Sequence, residues 1–292
     1  MSARLVRELA DDGFSVSLVC RVLELPRSTY YDAVGRPPSK RQLADDELTK
    51  EILEIYEASR QNYGAPRIHA ELRLGRGRHL GRKRIARLMR VAGIQGVCHR
   101  RKRGRKAAPP THDDLVKRRF KADEPNRLWV TDITEHPTKT GKVYCCCVLD
   151  VFSRRIVGWA IADHMRSELV VDALQMATWR RNPEPGAIVH ADRGSQFTSW
   201  VFGHRLRQAG LLGSMGRVAS SVDNGMMESF WSTMQRELLD RRRWQSREEL
   251  ASAIFEWIEA FYNPIRRHTS IGDISPVEFE ITYEAKTAEL VA

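Results

Sequence analysis

The sequence has few of the features that mark secreted, membrane-bound or zinc-binding proteins. It has five cysteines in 292 residues and no Cys-x-x-Cys pair, so neither a zinc ribbon nor a dithiol redox motif is supported. No stretch approaches the roughly 20 apolar residues that a membrane span requires. Residues 1–9 mix charges where a signal peptide would be apolar. We therefore expect a soluble protein of the cytoplasm with its thiols free and buried.

Acidic residues are absent from the whole of residues 72–111, although the chain carries 37 Asp and Glu against 48 Lys and Arg. A basic excess attracts polyanions, and nucleic acid is the commonest such partner. An ordinary basic cytosolic protein is the alternative, and a solvated helix face is the usual interpretation of a basic run. The lack of balancing acids here favours contact with DNA phosphates. The predicted DNA-contacting residues of this stretch are Arg82, Lys83, Arg84, Arg87, Arg100, Arg101, Lys102 and Arg103.

Composition divides the chain into helical and mixed parts. Residues 1–36 contain two short helical patterns with a tight turn, which predicts a helix-turn-helix. Residues 41–97 predict a second, all-helical DNA-binding domain, and residues 98–122 a basic linker. Residues 123–242 predict the main catalytic domain, and residues 243–292 a helical extension.

The main domain begins with three apolar strand patterns separated by short turns, starting near Leu128, Val143 and Ile156. Helix and strand patterns then alternate, ending in a long helix predicted from about Asn224 to Arg241. The order βββαβαβα is that of the ribonuclease H-like fold. We therefore predict an α/β domain with a mixed five-stranded sheet flanked by helices, preceded by an all-α helix-turn-helix region.

Three acidic residues fall at informative places in this pattern. Asp132 lies inside the first apolar strand, where a charge is costly unless it is paired or binds a metal. Asp192 follows the fourth strand directly, and ligands of open sheets bind beyond strand ends. Glu228 lies on the final long helix. In the predicted fold the first and fourth strands are neighbours, so the three carboxylates would converge, although any one alone is more often a turn or cap residue.

Three carboxylates without a cysteine or histidine cluster favour hard cations, so Mg²⁺, or Mn²⁺ in its place, is predicted rather than Zn²⁺. Two such ions about 4 Å apart activate an attacking oxygen and stabilise a leaving one in phosphoryl transfer. Asp132, Asp192 and Glu228 are therefore the predicted catalytic and metal-binding residues.

These acids and their surroundings resemble a known family. Asp132, Asp192 and Glu228, with 35 residues between the last two, resemble the DDE signature of retroviral integrases and related transposases. The flanking segments resemble the catalytic protein of IS-three family insertion sequences, encoded by the second reading frame. These segments are Tyr63–Ile68, Trp129–Thr134, His190–Thr198, Asp223–Phe230, Tyr262–Pro264, Arg267–His268 and Ser275–Phe279. The resemblance spans roughly residues 15–282.

The resemblance implies a DNA transposase of the bacterial nucleoid. Such enzymes hydrolyse a strand at the element's end to expose a 3′-OH, which then attacks another phosphodiester without a covalent enzyme intermediate. Asp132 and Asp192 would hold both ions and Glu228 one of them. The implied partners are the double-stranded DNA of the terminal inverted repeats and of the target, and further copies of the chain, because two ends are joined.

Residues around the acids receive further predictions. Arg193 and Gln196 are predicted to touch DNA or to brace the metal loop, and Asn224 to bind DNA or to cap the final helix. Arg236, Arg267 and His268 complete the predicted DNA contacts, with a simple C-terminal cap of the preceding helix as the alternative for Arg267 and His268. Many relatives carry a basic residue seven positions after the catalytic glutamate, where this chain has Gln235, and this puts that one contact in doubt.

Other interpretations remain at this point. An integrase-like recombinase of another mobile element would have the same chemistry, whereas a DNA-binding regulator without catalysis would not need three converging carboxylates. A nuclease-like fold without DNA specificity leaves the basic N-terminal third unexplained. In this family the catalytic protein is often fused by frameshift to an upstream helix-turn-helix protein with a leucine zipper, and this chain has no heptad run.

Overall fold

The fold is described from a computed structural model over residues 2–35, 37–97, 121–192, 196–215 and 225–291. The chain divides into two compact units, Met1–Glu54 and Ile55–Ala292. The five domains predicted from composition are a finer division, and they stay a prediction. Among the described residues, no helix is both long enough and apolar enough to cross a membrane.

The first unit is helical. It contains α1 (Ser2–Asp11), α2 (Val16–Val22), α3 (Arg27–Gly35) and the first part of α4 (Lys40–Ala58). The side chain of Ser15 accepts a hydrogen bond from the backbone N–H of Leu18 at 3.2 Å, which caps the start of α2. The first three helices enclose a small apolar core of Val6, Val19, Cys20 and Tyr30.

The second unit begins with a helical segment. The end of α4 is followed by α5 (Ala65–Ala70), a π-helical turn (Glu71–Gly75) and α6 (Arg82–Val91). Pro66 lies in the first turn of α5, where its missing N–H costs no hydrogen bond. On α6 the buried residues Ile85, Leu88 and Met89 recur at helical spacing, so the arginines and lysine of this helix occupy its other sides.

A five-stranded sheet forms the centre of the second unit. Its strands are β1 (Leu128–Thr138), β2 (Gly141–Asp150), β3 (Ile156–Ala162), β4 (Ile188–Ala191) and β5 (Leu212–Met215). The strand order is β3-β2-β1-β4-β5, with β1, β2 and β3 antiparallel and β4 parallel to both β1 and β5. The mixed five-stranded sheet predicted from the sequence is confirmed.

Helices cover the sheet. The core on one side is built with α7 (Ser167–Arg181) and α8 (Trp200–Gln208). Gly158 of β3 lets α7 approach closely, because a Cβ there would collide with the carbonyl oxygen of Ala173. Buried Leu169 and Leu174 of α7 each stabilise this packing by about 2 kcal/mol.

The chain then continues through α9 (Gly225–Glu237), a 3₁₀ turn (Leu239–Arg241), α10 (Arg247–Glu256) and a π-helical turn (Trp257–Tyr262). A 3₁₀ turn (Thr269–Ile271) and α11 (Pro276–Val291) complete it. The long final helix predicted over 224–241 is therefore α9 with a short 3₁₀ continuation.

An ionic cluster holds α11 against the sheet. The buried carboxylate of Glu280 accepts hydrogen bonds from Ser153 Oγ at 2.7 Å, from Arg155 at 2.6 Å and from Arg181 at 2.9 and 3.0 Å. Each oxygen of this carboxylate thus accepts two hydrogen bonds. The C-terminal helix is fixed to the turn after β2 and to the end of α7.

Candidate active site

Asp132 lies where β1 leaves the core. The preceding residues Trp129 and Val130 are buried, and Asp132 itself is half-buried. Its carboxylate accepts two hydrogen bonds, from the backbone N–H of Ile133 at 2.9 Å and from Trp231 Nε1 at 3.0 Å. Both donors are neutral, so the charge of this carboxylate has no ionic partner among the described residues.

Asp192 is brought to Asp132 by the register of two parallel strands. Val130 of β1 pairs with His190 of β4, and each aspartate follows its strand partner by two residues. Alternation along a strand therefore puts the two carboxylates at corresponding positions of neighbouring strands. Asp192 is exposed immediately after β4, at the carboxyl ends of the two parallel strands, where ligands of such sheets bind.

Glu228 is presented by α9. The buried face of this helix contains Met226, Met227, Phe230 and Met234, which leaves Glu228 exposed near its start. Trp231 follows Glu228 by three residues and so lies on the same side of the helix. Because the indole of Trp231 donates to Asp132, this side of α9 faces β1.

The charges of the other two acids act on Asp132. The pKa of Asp132 is raised from its usual 3.8 to about 6, chiefly by burial and further by the negative charges of Asp192 and Glu228, against the lowering effect of its two hydrogen bonds. Like charges held together without a cation are unfavourable. The arrangement is one that a bound cation would relieve.

The donor set fits a hard divalent cation by its chemistry, since all three side chains offer carboxylate oxygen. Among the residues that the structure describes, no group of three or more Asp, Glu, His or Cys side chains is close enough to hold a metal ion as it stands. Asp192 and Glu228 therefore act on Asp132 through space in this conformation. Closing a metal site would need a further approach of their side chains.

The predicted DNA contacts on α6 lie at its surface. Arg82 and Lys83 are exposed, and Arg84 and Arg87 are half-buried with partners inside the protein. Arg236 on α9 is likewise half-buried and engaged.

Two residues near the acids have internal partners. Gln196 donates from Nε2 to the backbone carbonyl of Met165 at 3.1 Å, which agrees with the bracing role that the sequence left open for it. Gln235 donates to Asp240. Many relatives have a basic residue at this position. In this chain the side-chain amide of Gln235 instead joins α9 to the 3₁₀ turn that follows it.

Arg267, predicted to contact DNA, is held by partners within the protein. Arg267 is only 6% exposed, and its guanidinium pairs with Glu71 at 2.6 Å and donates to the carbonyl of Asp273 at 2.8 Å. A buried guanidinium with these partners joins the helical segment at Glu71 to the C-terminal part of the unit. His268 is half-buried beside Arg266 and lines a polar cavity next to α9.

The remaining predicted contacts lie outside the described residues, namely Arg100, Arg101, Lys102, Arg103, Arg193 and Asn224. One residue of the site was missed by the sequence reasoning, which is Trp231. The available signal was its position three residues after Glu228, since that spacing puts an indole donor on the same side of the helix.

Family models match most of the second unit. A model described as an integrase core domain matches residues 122–221, and a second model with the same description matches residues 210–276. A model described as an HTH-like domain matches residues 43–102. That match falls on the segment from α4 to α6 rather than on α1–α3.

Relatives extend over nearly the whole chain. The transposase for insertion sequence element IS904 of Lactococcus lactis is 39% identical, over 84% of this chain and 98% of that protein. The transposase InsF for insertion sequence IS3A of Escherichia coli is 36% identical, over 91% and 94%. The transposase for insertion sequence element IS629 of Shigella sonnei is 36% identical, over 94% of each.

The chain belongs to the IS-three family of insertion-sequence transposases. Its function is accordingly DNA transposition, and its catalytic part is an integrase core. Membership of this family suggests polynucleotidyl transfer that depends on a divalent metal.

Solved structures with a similar fold are viral integrases. One is the HTLV-2 integrase catalytic core domain in complex with magnesium, with a TM-score of 0.40 and 16% identity over 53% of the transposase and 97% of that chain. Another is a simian T-cell lymphotropic virus intasome in complex with a PP2A regulatory subunit, with a TM-score of 0.44 and 12% identity over 78% and 74%.

Proposed function

We propose that this transposase cuts the ends of its insertion sequence and joins them to another DNA phosphodiester, using Asp132, Asp192 and Glu228 as the ligands of two Mg²⁺ ions. Mn²⁺ would substitute. The observation that carries the proposal is the state of Asp132, a half-buried carboxylate with two neutral donors and two like charges around it. An acid in these surroundings is costly to keep unless a cation or a reaction uses it.

The residues of the chain have separate tasks in this reaction. Asp132, Asp192 and Glu228 would hold the ions through their carboxylate oxygens, while Trp231 orients the Asp132 carboxylate through its indole N–H. Bound at these oxygens, the two ions would supply activation of the attacking oxygen and stabilisation of the leaving one.

Two transfers follow one another. In the first, a water oxygen forms a bond to phosphorus and the bond from phosphorus to the 3′ oxygen breaks, which leaves a 3′-OH on the element. In the second, that 3′ oxygen bonds to the phosphorus of another strand and displaces its 3′ oxygen. Neither step needs a covalent enzyme intermediate or an external energy source.

DNA binding is assigned to the basic segments. Arg82 and Lys83, both exposed on α6, are available to phosphates, and we extend this role to Arg84, Arg87, Arg100, Arg101, Lys102, Arg103, Arg193, Asn224 and Arg236. Joining two ends requires at least two copies of the chain on DNA, and a complex with one copy would contradict this. Fusion to an upstream helix-turn-helix protein by frameshift belongs to the same proposal.

Strand cleavage and joining on labelled DNA with the element's own ends tests the proposal. Three proteins are compared with Mg²⁺ and with a chelator, namely the unaltered chain, Asp192→Asn and Asp172→Asn. Asp172 is an exposed aspartate of α7, so its substitution removes the same charge away from the site. We expect products from the unaltered chain and Asp172→Asn, and none from Asp192→Asn or with the chelator.

Other outcomes would reassign the protein. Products from Asp192→Asn at the wild-type rate would remove Asp192 from the catalytic set. No product from any variant, with DNA binding intact, would favour a regulator without catalysis or a missing upstream partner. Adding the upstream protein decides between these two, because only the second restores cleavage.

A further inference from the structure

A polar cavity lies on the far side of α9 from the three acids. It has a volume of about 200 Å³ and is bounded by α9, by the turn after β2 and by the segment after Tyr262. We call it the arginine pocket, after Arg67, Arg154 and Arg266, which line it together with His268. No acidic residue is among the described residues that line it.

The pocket and the acid site lie on opposite sides of α9. Met226, Phe230 and Thr233 line the pocket and recur at intervals of three and four residues along α9. Glu228 and Trp231 occupy the other side of the helix, where the indole contacts Asp132. The pocket is therefore a second polar site, distinct from the metal site proposed above.

The positive charge of the pocket exceeds the negative charge near it. Arg266 is almost fully buried and makes two hydrogen bonds to Glu237, at 2.7 and 2.8 Å. Arg67 shares the same carboxylate at the longer distance of 3.6 Å. One glutamate thus lies between two guanidinium groups and cannot neutralise a third.

Arg154 is that third group. It is half-buried, and burial lowers its pKa with only Tyr262 acting in the opposite direction. No carboxylate within the described part of the chain forms an ion pair with it. Its position is set by the backbone, because Arg154 has a φ of 65° in the turn after β2. A partly desolvated guanidinium without a counterion is unfavourable unless an anion joins it.

The charges of the pocket arginines also act on His268. Burial lowers its pKa well below the usual range, and the charges of Arg266, Arg67 and Arg154 lower it further. The imidazole is therefore neutral at pH 7, and it can both donate and accept a hydrogen bond. Ser229, Thr269 and Ser270 add hydroxyl groups at the exposed side of the pocket.

We propose that the arginine pocket binds a phosphate group, with Arg154 as its principal ligand and Arg67 and the nearby hydroxyl groups as supports. Guanidinium recognises phosphate through paired N–H donors, which suits a site that offers arginines and no lysine. The phosphate is either a phosphodiester of bound DNA or free inorganic phosphate, and the first source rests on the DNA activity proposed above.

The first arm of the test measures phosphate binding without DNA. Thermal unfolding of the full chain is followed in potassium phosphate and in potassium chloride of equal ionic strength, for the unaltered chain, Arg154→Met, Arg154→Lys and Arg243→Met. Arg243 is an exposed arginine outside the pocket. Phosphate stabilises many proteins weakly by exclusion from their surface. This general effect is the same for all variants, so a difference between variants reports binding at the pocket.

We expect phosphate to raise the melting temperature in a saturating way for the unaltered chain and Arg243→Met. Arg154→Met should lose the saturating part, and Arg154→Lys should keep some of it, because lysine retains the charge without the paired donors. Circular dichroism of each variant without phosphate establishes that the fold is intact.

The second arm measures binding of a duplex with the element's end at several salt concentrations. If the occupant is a DNA phosphate, Arg154→Met lowers the slope of log affinity against log salt by about one, and inorganic phosphate competes with DNA. A saturating phosphate shift with an unchanged DNA slope identifies free phosphate as the occupant. The proposal is overturned if Arg154→Met equals the unaltered chain in both arms. A chain without cleavage activity would leave this test valid, because the first arm measures phosphate binding without DNA.

Discussion

Asp132 and Glu280 are both carboxylates removed from water, yet their surroundings are opposite. Glu280 receives one hydroxyl donor and two guanidinium groups. Asp132 receives one backbone N–H and one indole N–H, and two further carboxylates act on it. A carboxylate with positive partners stabilises the fold by joining elements, whereas one with like charges nearby makes the fold less stable. This contrast separates a structural acid from a functional one.

A raised pKa by itself does not make this separation. Burial also raises the pKa of Asp150 to about 6, but its carboxylate accepts from the backbone N–H groups of Asn126 and Phe152 at 2.8 and 2.9 Å. These bonds hold the turn after β2, and the nearby charges of Glu280 and Arg181 shift the pKa of Asp150 in opposite directions. The converging acids, rather than the pKa alone, distinguish Asp132.

The largest expected effect comes from removing the charge of Asp132. Asp132→Asn should lower strand cleavage by roughly a thousandfold or more, because metal ions contribute several kcal/mol to such reactions. The same change should stabilise the metal-free protein at pH 8. The upper bound is about 3 kcal/mol, from the difference between a folded pKa of about 6 and an ordinary 3.8. The gain is smaller in practice because the Asn amide nitrogen cannot accept a hydrogen bond.

The sign of this effect depends on pH. The folded pKa of Asp132 is raised, so the folded state binds the proton more tightly and stability falls as pH rises from about 4 to 6. Thermal unfolding with a chelator should therefore show the advantage of Asp132→Asn at pH 8 and its disappearance near pH 4. An Asp132→Asn variant that is less stable than the unaltered chain at pH 8 would contradict our account of this acid.

The second effect tests the structural acid. Glu280→Ala should cost about 3–5 kcal/mol, because it leaves two arginines without their shared partner, and should lower the melting temperature by roughly 10 °C. Cleavage per folded molecule should stay within about twofold of the unaltered chain. Glu284→Ala, at an exposed position of the same helix, is the matched control and should change stability by less than about 0.5 kcal/mol. Equal melting temperatures for the two variants would refute the structural role.

A smaller effect is expected from Trp231→Phe. Loss of the indole donor to Asp132 should lower cleavage and metal affinity about tenfold, since groups that orient metal ligands typically contribute 10–100-fold. The defect should be larger at pH 6 than at pH 8, because the hydrogen bond lowers the pKa of Asp132. Trp200→Phe, at an exposed tryptophan of α8, serves as the control. A pH-independent defect would assign Trp231 a packing role only.

The smallest effect concerns Gln235. Gln235→Lys places a positive charge two turns after Glu228 on the same side of α9. It should tighten binding of the element's end a few-fold and steepen the salt dependence by about one unit. Gln175→Lys adds the same charge on exposed α7 and should leave both unchanged. If the two variants behave alike, only the net charge of the chain matters.

Prediction from the sequence succeeded for the strands and singled out three acids that stay a prediction, because both depend on local patterns. A buried apolar run directly before Asp132 identifies β1, and a polar residue directly after the apolar run of β4 identifies Asp192. The surroundings of the predicted DNA contacts do not follow from local patterns. Arg267 follows a polar segment and carries a charge, but its burial is decided by Glu71, 196 positions earlier in the chain.

The contacts that create the arginine pocket are equally distant in sequence. Arg67, Arg154 and Arg266 stand on three separate segments, and nothing in their immediate neighbours marks them as a group. Arg154 and Arg155 are adjacent, yet one lines the pocket and the other binds Glu280. The positive φ of Arg154 turns the chain between them.

The sequence by itself determined the family and the order of strands and helices, and it predicted the three acids, because each of these depends on local periodicity or on spacing along the chain. The tertiary structure decided which charges are paired. Among the residues that the structure describes, Asp132 has no cation beside it, Glu280 has two and Glu237 lies between two arginines. Pairing depends on distances of a few ångströms between segments that are far apart in sequence, and the energy of a charge removed from water depends on those distances.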